Sequence, residues 1–129
     1  MEYLADTVAI VRHFSSTGKL GAKAKKIMQD ADIGKNTVFV SIISIVEIMY
    51  LSEAGRIKLD LDVIKSKLDA ADNYFVIDLN FDIIEVAKEI HGLELHDRLI
   101  VSTAKYLTCP ILTSDRTITD LEIIQVIWK

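Results

Sequence analysis

The chain has 129 residues and a mass of 14.5 kDa, which is the size of one compact domain. Half of the residues are hydrophobic and the mean hydropathy is +0.30, so a disordered or fibrous chain is excluded. The formal net charge of −4, from 15 basic and 19 acidic residues, argues against a basic protein that coats nucleic acid. We therefore expect a single domain over residues 1–129 with a sizeable core.

The first half of the chain predicts two strands and three helices. The β-branched and aromatic residues at 37–40 favour a buried strand, and Gly55 follows the last of the three helices. A break between Ser15 and Gly18 ends the first helix. The predicted elements are, in order, a strand at 3–5, helices at 8–14 and 22–31, a strand at 37–40 and a helix at 45–54.

The second half predicts a helix at 61–72, a strand at 74–77, helices at 81–90 and 95–107, and strands at 111–113 and 125–128. Strands that alternate with helices of about ten residues predict a parallel sheet covered on both faces. The expected fold class is therefore α/β, a three-layer α/β/α sandwich around a mainly parallel sheet of five strands. In such a sheet, the functional crevice lies beyond the carboxyl ends of the strands.

The apolar segments of the chain predict no membrane span and no secretory signal. The longest of them, 42–50, is interrupted by Ser44 and Glu47 and falls far short of the roughly 20 apolar residues that a membrane helix needs. The first six residues lack a basic segment followed by a long apolar stretch. The single cysteine, Cys109, excludes an intramolecular disulfide and a multi-thiolate metal site. These features predict a cytoplasmic protein.

Four acidic residues occupy positions that place them at one crevice. Asp6 follows the first predicted strand, and Asp115 lies two residues after the fourth. Glu47 interrupts an apolar helix, and Asp97 begins the helix at 95–107. The mutual repulsion of four carboxylates would be costly without a cation. An oxygen donor set of this kind suits Mg²⁺ or Mn²⁺, which bind through a few carboxylates together with substrate phosphate.

Each acid also has a purely structural interpretation. Ser44 and Glu47 fit the S-x-x-E capping box at the start of a helix. Asp97 could favour the positive end of its helix, and Asp6 or Asp115 could be turn residues that follow a strand. A fifth acid, Asp120, could either extend the metal site or cap a short turn.

Four segments together resemble the PIN domain family. They are Tyr3–Thr7, Ser41–Ile48, Leu95–Val101 and Ile111–Asp115, and the similarity extends from residue 3 to residue 128. The resemblance consists of a first Asp, a Glu in the middle, an Asp that opens a late helix and a T-x-D motif in this order. It implies a metal-dependent ribonuclease, most similar to a VapC-type toxin of a toxin–antitoxin pair.

The resemblance assigns a role to each matching residue. It implies that the metal ligands and catalytic residues are Asp6, Glu47, Asp97 and Asp115, and that Thr7, Ser44 and Thr113 support them. It also implies hydrolysis of RNA to 5′-phosphate and 3′-hydroxyl products, a small antitoxin that covers the acidic crevice, and a homodimer. The apolar residues at 45–51 would supply surface for a dimer, although a helix buried in a three-layer core has the same pattern.

A basic stretch follows the first acid, since no acidic residue occurs between Asp6 and Asp30. Its positive charges would position RNA phosphates, or they would simply lie on a solvated helix face. Two more cations adjoin proposed metal ligands. The candidate RNA-binding residues are Arg12, Lys23, Lys25, Lys26, Arg98 and Arg116, and Lys19 belongs to the same stretch.

Other functions compete with that of a nuclease toxin. The alternatives are an RNA-processing PIN nuclease without an antitoxin, a non-catalytic binding module, and a phosphorelay receiver domain with an acidic Mg²⁺ pocket. The receiver pattern requires an acidic pair before the first helix and a Lys after the last strand, whereas Asp6 stands alone. A metal-free ribonuclease would instead use histidines as acid and base, and the chain offers His13, His91 and His96.

Overall fold

The computed structural model describes residues 1–129 and is built around a parallel sheet of five strands. Every neighbouring pair of strands is parallel, and the order across the sheet is β3-β2-β1-β4-β5. The strands are β1 (Glu2–Ala5), β2 (Thr37–Ser41), β3 (Tyr74–Ile77), β4 (Ile111–Leu112) and β5 (Val126–Ile127). The predicted α/β class and the five strands are confirmed.

Seven helices connect or follow these strands. They contain between 6 and 13 residues, and none of them is long and apolar enough to cross a membrane. The helices are α1 (Thr7–Ser15), α2 (Ala22–Asp32), α3 (Ile42–Glu53), α4 (Leu61–Ala70), α5 (Phe81–Lys88), α6 (Leu95–Leu107) and α7 (Arg116–Leu121).

The strand order reverses between β1 and β4, since the chain first builds outward from β1 to β3 and then returns to the other side of β1. A crevice forms where neighbouring strands continue in opposite directions, beyond their carboxyl ends. The order also differs from the 2-1-3-4-5 order of receiver-type doubly wound sheets. The interpretation as a receiver domain is therefore wrong.

Hydrophobic side chains cover both faces of the sheet, which gives the three layers. In β1, Tyr3 and Ala5 belong to a buried cluster that includes residues of α1, α2 and α4. Leu4, which lies between them, belongs to a second cluster that includes residues of α6 and α7. Successive side chains of a strand point to opposite faces, so the apolar residues Tyr3–Ala5 of β1 require helices on both sides.

Two helices differ from the predictions. The helix predicted at 45–54 begins three residues earlier, because Ser41 is its N-cap and accepts a hydrogen bond from the Ile43 amide at 3.1 Å. The capping-box interpretation of Ser44 and Glu47 is therefore wrong, since both residues lie inside α3. The sequence pattern also missed α7, whose single buried residue, Ile118, gives no amphipathic period.

The start of α2 packs directly against the end of the chain. The Trp128 carbonyl accepts a hydrogen bond from the Ala24 amide at 3.1 Å. Gly21 is the N-cap of α2 with an ordinary φ of −60°, so its backbone conformation does not require glycine. A Cβ at Gly21 would lie 2.0 Å from the Trp128 carbonyl oxygen and 2.7 Å from indole Cδ1. The close approach of two backbone segments therefore excludes any side chain at this position.

The substitution Gly21→Ala tests this contact. We expect it to lower the free energy of unfolding by about 2–3 kcal/mol, because the backbone must shift to admit the methyl group. The emission of Trp128, the only tryptophan of the chain, should shift as well. Gly55→Ala is the control, because its methyl group meets nothing within 4 Å and it carries only the cost of a φ of +71°. That cost is about 1 kcal/mol, with tryptophan emission unchanged.

Chemical denaturation followed by tryptophan fluorescence and by circular dichroism measures both quantities. A Gly21→Ala protein as stable as the wild type would contradict the close packing of α2 against the end of the chain.

Candidate active site

A cleft of about 240 Å³ opens where the strand order reverses, and four carboxylates line it. Each carboxylate comes from a different element or from the end of one. The fold thus places Asp6 and Asp115 in one cleft although more than a hundred residues separate them in the sequence. No lysine or arginine lines the cleft. The lining residues are Asp6, Thr7, Val8, Glu47, Leu51, Asp97, Ile100, Ser114, Asp115 and Ile118.

Asp6 is the buried centre of this cleft. It follows β1 and is the N-cap of α1, so its Oδ1 accepts a hydrogen bond from the Ala9 amide at 2.8 Å. Its other oxygen, Oδ2, accepts a hydrogen bond from the Thr113 hydroxyl. The Thr113 oxygen in turn accepts a hydrogen bond from the Asp115 amide at 3.1 Å. The ends of β1 and β4 are thus joined through one threonine.

The environment of Asp6 disfavours its negative charge. Burial raises the pKa of this carboxyl to about 6, and the charges of Asp97 and Asp115 contribute in the same direction. The hydrogen bonds from Thr113 and Ala9 act against this shift but do not cancel it. A buried carboxylate among other carboxylates gains most from a nearby cation.

A hydroxyl from α1 holds Glu47. The Thr7 hydroxyl lies 2.6 Å from Glu47 Oε1 and 2.9 Å from Ser44 Oγ, and both Thr7 and Ser44 are buried. A hydroxyl has one hydrogen, and Thr7 donates it to the Glu47 carboxylate. The contact with Ser44 is then a hydrogen bond that the Ser44 hydroxyl donates to the threonine oxygen. The structure thus brings the predicted supporting residues Thr7 and Ser44 together with Glu47.

Asp97 lies in the first turn of α6. Burial raises the pKa of this carboxyl, and the nearby charges of Asp115, Glu47 and Glu94 raise it further, whereas His96 lowers it. The sequence reasoning missed Glu94, which is the N-cap of α6 and accepts hydrogen bonds from the amides of His96 and Asp97 at 3.0 and 3.3 Å. The position of Glu94 directly before the helix could have indicated this role, although Glu is an uncommon N-cap residue.

Asp115 combines a structural contact with a position in the cleft. It is the N-cap of α7, and its Oδ1 accepts hydrogen bonds from the amides of Thr117 and Ile118 at 2.8 and 3.2 Å. Asp120 lies near the other end of α7, where it is exposed and does not line the cleft. The structure therefore does not bring Asp120 to the four acids.

The donor chemistry of the cleft suits a hard divalent cation, because its polar side chains offer carboxylate and hydroxyl oxygens. As the side chains stand, no three His, Cys, Asp or Glu residues are close enough together to hold an ion. Asp6 is directed to Thr113 and Glu47 to Thr7. Asp97 and Asp115 are only partly buried, and the capping hydrogen bonds of Asp115 engage only its Oδ1.

The structure separates the basic candidates into different surfaces. Arg12 and Lys25 line one pocket together with Lys19 and Lys67, whereas Lys23 and Lys26 line another beside Trp128. Arg98 donates hydrogen bonds to the carbonyls of Ala87 and Lys88, at 2.8 and 3.5 Å, and so ties α6 to the end of α5. Arg116 is exposed at the start of α7.

The three histidines have different surroundings. His13 stacks on Tyr74 and pairs with Asp32 at 3.0 Å, near the end of α1 opposite the cleft. His91 is exposed, and His96 Nδ1 lies 3.3 Å from Glu94 and 3.8 Å from Glu47. Only His96 therefore lies beside a residue of the cleft.

The sequence matches the model of the PIN family, described as the PIN domain, over residues 3–123. No curated protein matches the chain.

Several solved structures share the fold. The chain is similar to VapBC2 from Rickettsia felis bound to a DNA fragment from its promoter, with a TM-score of 0.72, 18% identity and 100% of both chains covered. It is similar to a DNA-bound VapBC from Salmonella typhimurium, with a TM-score of 0.74, 13% identity and coverage of 98% and 97%. A toxin–antitoxin complex from Klebsiella pneumoniae matches with a TM-score of 0.63, 21% identity and coverage of 97% and 95%.

Replacement of the buried acid, Asp6→Asn, tests the electrostatic cost of the cleft. The folded protein binds the Asp6 proton more tightly than the unfolded chain does, because the pKa rises from 3.8 to about 6. The free energy of unfolding therefore falls as pH rises through this window and stays lower above it. We expect metal-free Asp6→Asn to be more stable than the wild type at pH 7.5, by up to about 3 kcal/mol, with the gap closing toward pH 4.

Urea denaturation in EDTA from pH 4 to pH 8 measures this difference. Asp60→Asn is the matched control, because Asp60 is also a helix N-cap that accepts an amide, from Val63, but it is exposed. The control should shift stability little at any pH. If Asp6→Asn destabilises the metal-free protein at neutral pH, the charge of Asp6 is not a cost to the fold.

Proposed function

The chain belongs to the PIN-domain family, and on that premise we propose that it is a metal-dependent endoribonuclease that hydrolyses RNA phosphodiester bonds. The observation that carries the proposal is the convergence of four carboxylates, from four separate segments, on one cleft at the reversal of the strand order. Carboxylates arranged in this way serve metal-assisted hydrolysis of phosphate esters.

Asp6, Glu47, Asp97 and Asp115 would hold the cation, which we propose to be Mg²⁺ or Mn²⁺. A divalent cation in this position supplies Lewis-acid stabilisation of the charge that develops on the phosphate and activates water for attack. The raised pKa values of Asp6 and Asp97 support the assignment, because both reflect burial of the carboxyl group together with repulsion by neighbouring carboxylates.

The protein itself supplies orientation. Hydrogen bonds orient three of the four acids: Thr113 and the Ala9 amide bind Asp6, Thr7 binds Glu47, and two amides of α7 bind Asp115. Three helices, α1, α6 and α7, begin at the cleft with an acid as N-cap or in the first turn. The positive ends of their dipoles offset part of the repulsion between the carboxylates and favour an incoming phosphate.

We further propose that the protein is the toxin of a VapBC-type toxin–antitoxin pair. The structures with the same fold include complexes described as VapBC and as a toxin–antitoxin complex, and each match covers at least 95% of both chains. Each match thus extends over nearly all of this chain and of the matched chain. The proposed partner is a small antitoxin that covers the acidic cleft.

A second copy of the chain is the other proposed partner. Large apolar side chains are exposed on α3 and α5 and at the start of α6, where Tyr50 is 65%, Phe81 77% and Leu95 60% exposed. The elements α3 and α5 both pack against α6, so these residues lie on neighbouring helices. Exposed apolar surface of this kind supports a protein interface.

The proposed nuclease should cleave single-stranded RNA in Mn²⁺ and leave 5′-phosphate and 3′-hydroxyl ends. Asp97→Asn should reduce the rate by at least about 100-fold, because it removes one charge from the metal site. Mn²⁺ should also raise the melting temperature of the wild type more than that of Asp97→Asn, since a bound ligand stabilises the folded state. Cleavage assays with end-group analysis, together with thermal melts, measure these effects.

Asp82→Asn is the matched control, because Asp82 also lies in the first turn of a helix but is exposed on α5. It should cleave and bind Mn²⁺ as the wild type does. Cyclic 2′,3′-phosphate ends that form without metal would instead indicate attack by the 2′-hydroxyl and overturn the proposed mechanism.

Expression in a bacterial host separates a toxin from an RNA-processing nuclease. We expect the wild type to arrest growth, and Asp97→Asn, which lacks one cleft charge, to relieve the arrest. Viable-cell counts after induction, with protein levels matched by immunoblot, measure the effect. Harmless accumulation of a folded wild type that cleaves RNA in vitro would favour the processing nuclease.

A further inference from the structure

The cleft presents a problem for a substrate that is itself a polyanion. Its charged lining residues are all acidic, so positive charge for the phosphates on either side of the scissile bond must come from another surface. We propose that a basic pocket at the far end of α1 binds the phosphate backbone of the RNA strand whose scissile bond lies in the cleft. The proposal rests on the proposed nuclease function and names the surface that holds its substrate.

This α1 pocket has a volume of about 750 Å³ and is walled by α1, the loop that follows it, α2 and α4. Its lysines and arginine outnumber its one acid, Asp32, which lies 3.0 Å from His13. The pocket is therefore strongly positive in a chain whose formal charge is −4. Its cationic residues are Arg12, Lys19, Lys25 and Lys67.

The loop of the pocket holds Arg12 in place. The Lys19 carbonyl accepts a hydrogen bond from Arg12 Nη1 at 2.8 Å. Gly18 adopts a φ of +68°, and a Cβ there would lie 2.9 Å from Arg12 Nε. The guanidinium is thus packed against a turn whose left-handed backbone favours glycine. Its remaining N–H groups make no hydrogen bond within the chain, so they are available to a phosphate, which arginine can bind through two parallel hydrogen bonds.

The same face of α1 connects the pocket with the cleft. Val8 lines the cleft and is partly exposed, and Arg12 lies four residues later. Residues at positions i and i+4 lie above one another on a helix, about 6 Å apart along its axis. An RNA strand that leaves the cleft past Val8 therefore meets Arg12 after one turn of the helix.

The second basic surface, around Lys23 and Lys26, is less suited to this role. It is lined by residues of β1, α2 and β5 and the end of the chain, with no residue of α1. Lys26 is also paired with Asp30 at 2.9 Å, which neutralises part of its charge. That surface has three lysines, Lys23, Lys26 and Lys129, but of the two surfaces only the α1 pocket is lined by residues of α1, the helix that begins at the cleft.

Charge reversal at two pocket lysines, Lys25→Glu with Lys67→Glu, tests the proposal in metal-free protein. The control is Lys65→Glu with Lys105→Glu, which changes the net charge equally at exposed lysines outside the pocket. Lys65 and Lys67 belong to the same helix, and only Lys67 lines the pocket. Fluorescence anisotropy of a labelled single-stranded RNA of about 20 nucleotides in EDTA, over a series of KCl concentrations, measures affinity without cleavage.

We expect the pocket variant to lose at least about tenfold in affinity and about 1.4 in the slope of log K against log salt concentration, since each single-strand phosphate contact contributes about 0.7. The control should lose much less of both. Equal losses of RNA affinity in the two variants would show that net charge alone causes the effect, which would overturn the proposal. A larger loss in Lys23→Glu with Lys26→Glu, or displacement of the RNA by a polyglutamate peptide at equal charge concentration, would also overturn it.

Cleavage in Mn²⁺ separates failure of this proposal from failure of the nuclease function. The pocket variant should cleave a dinucleoside monophosphate, whose only phosphate is the scissile one, with the wild-type kcat/KM, but should show a raised KM for long RNA. If neither the wild type nor the variants cleave RNA, but only the pocket variant loses RNA affinity, the proposed pocket is supported and the proposed nuclease function is wrong. If the wild type cleaves RNA and the pocket variant binds RNA with unchanged affinity, the nuclease function is supported and the proposed pocket is wrong.

Discussion

A carboxylate buried at the reversal of the strand order is the constraint on which the rest of the site depends. Asp6 gains two hydrogen bonds, from the Ala9 amide and the Thr113 hydroxyl, and it caps the first helix. These contacts join β1 to β4 and fix the direction of the chain at the cleft. They do not offset the loss of solvation, because burial still raises the pKa of Asp6 to about 6.

The remaining acids increase this electrostatic cost instead of relieving it. Asp97 and Asp115 both act to raise the pKa of Asp6, and Asp115 and Glu47 act in the same way on Asp97. Helix N-termini at three of the acids provide partial positive charge, but a dipole end is equivalent to only about half an elementary charge. The fold thus maintains a concentration of negative charge that a cation would stabilise, which is the physical basis for assigning a metal-dependent function.

The same charge distribution bears on how RNA would approach. The four acids of the cleft equal the whole formal charge of −4, so the rest of the chain is neutral in sum. Its positive residues are nevertheless unevenly placed, and four of them surround one pocket at the far end of α1. A single helix therefore has Asp6 at one end and Arg12 near the other, so the proposed cation site and the proposed phosphate site lie apart on one helix.

Local side-chain patterns predicted all five strands, six of the seven helices and their order. The apolar β1, the T-x-D segment after β4 and the acid in the first turn of α6 carry their signals locally, because strands and helices follow side-chain periodicity. The sequence therefore predicted the four acids, the parallel sheet and the family resemblance. It misplaced the start of α3, whose N-cap Ser41 is the last residue of β2, and it missed α7, whose N-cap Asp115 lies three residues after β4.

Only the tertiary structure decided which side chains meet. Arg98 and Asp97 are neighbours in sequence, yet a helix turns successive residues by about 100°, so Asp97 lines the cleft while Arg98 binds carbonyls at the end of α5. The same rotation sends Lys25 and Lys26 to different pockets. Contacts between residues distant in sequence, such as Thr113 with Asp6, depend on the strand order, which local patterns do not specify.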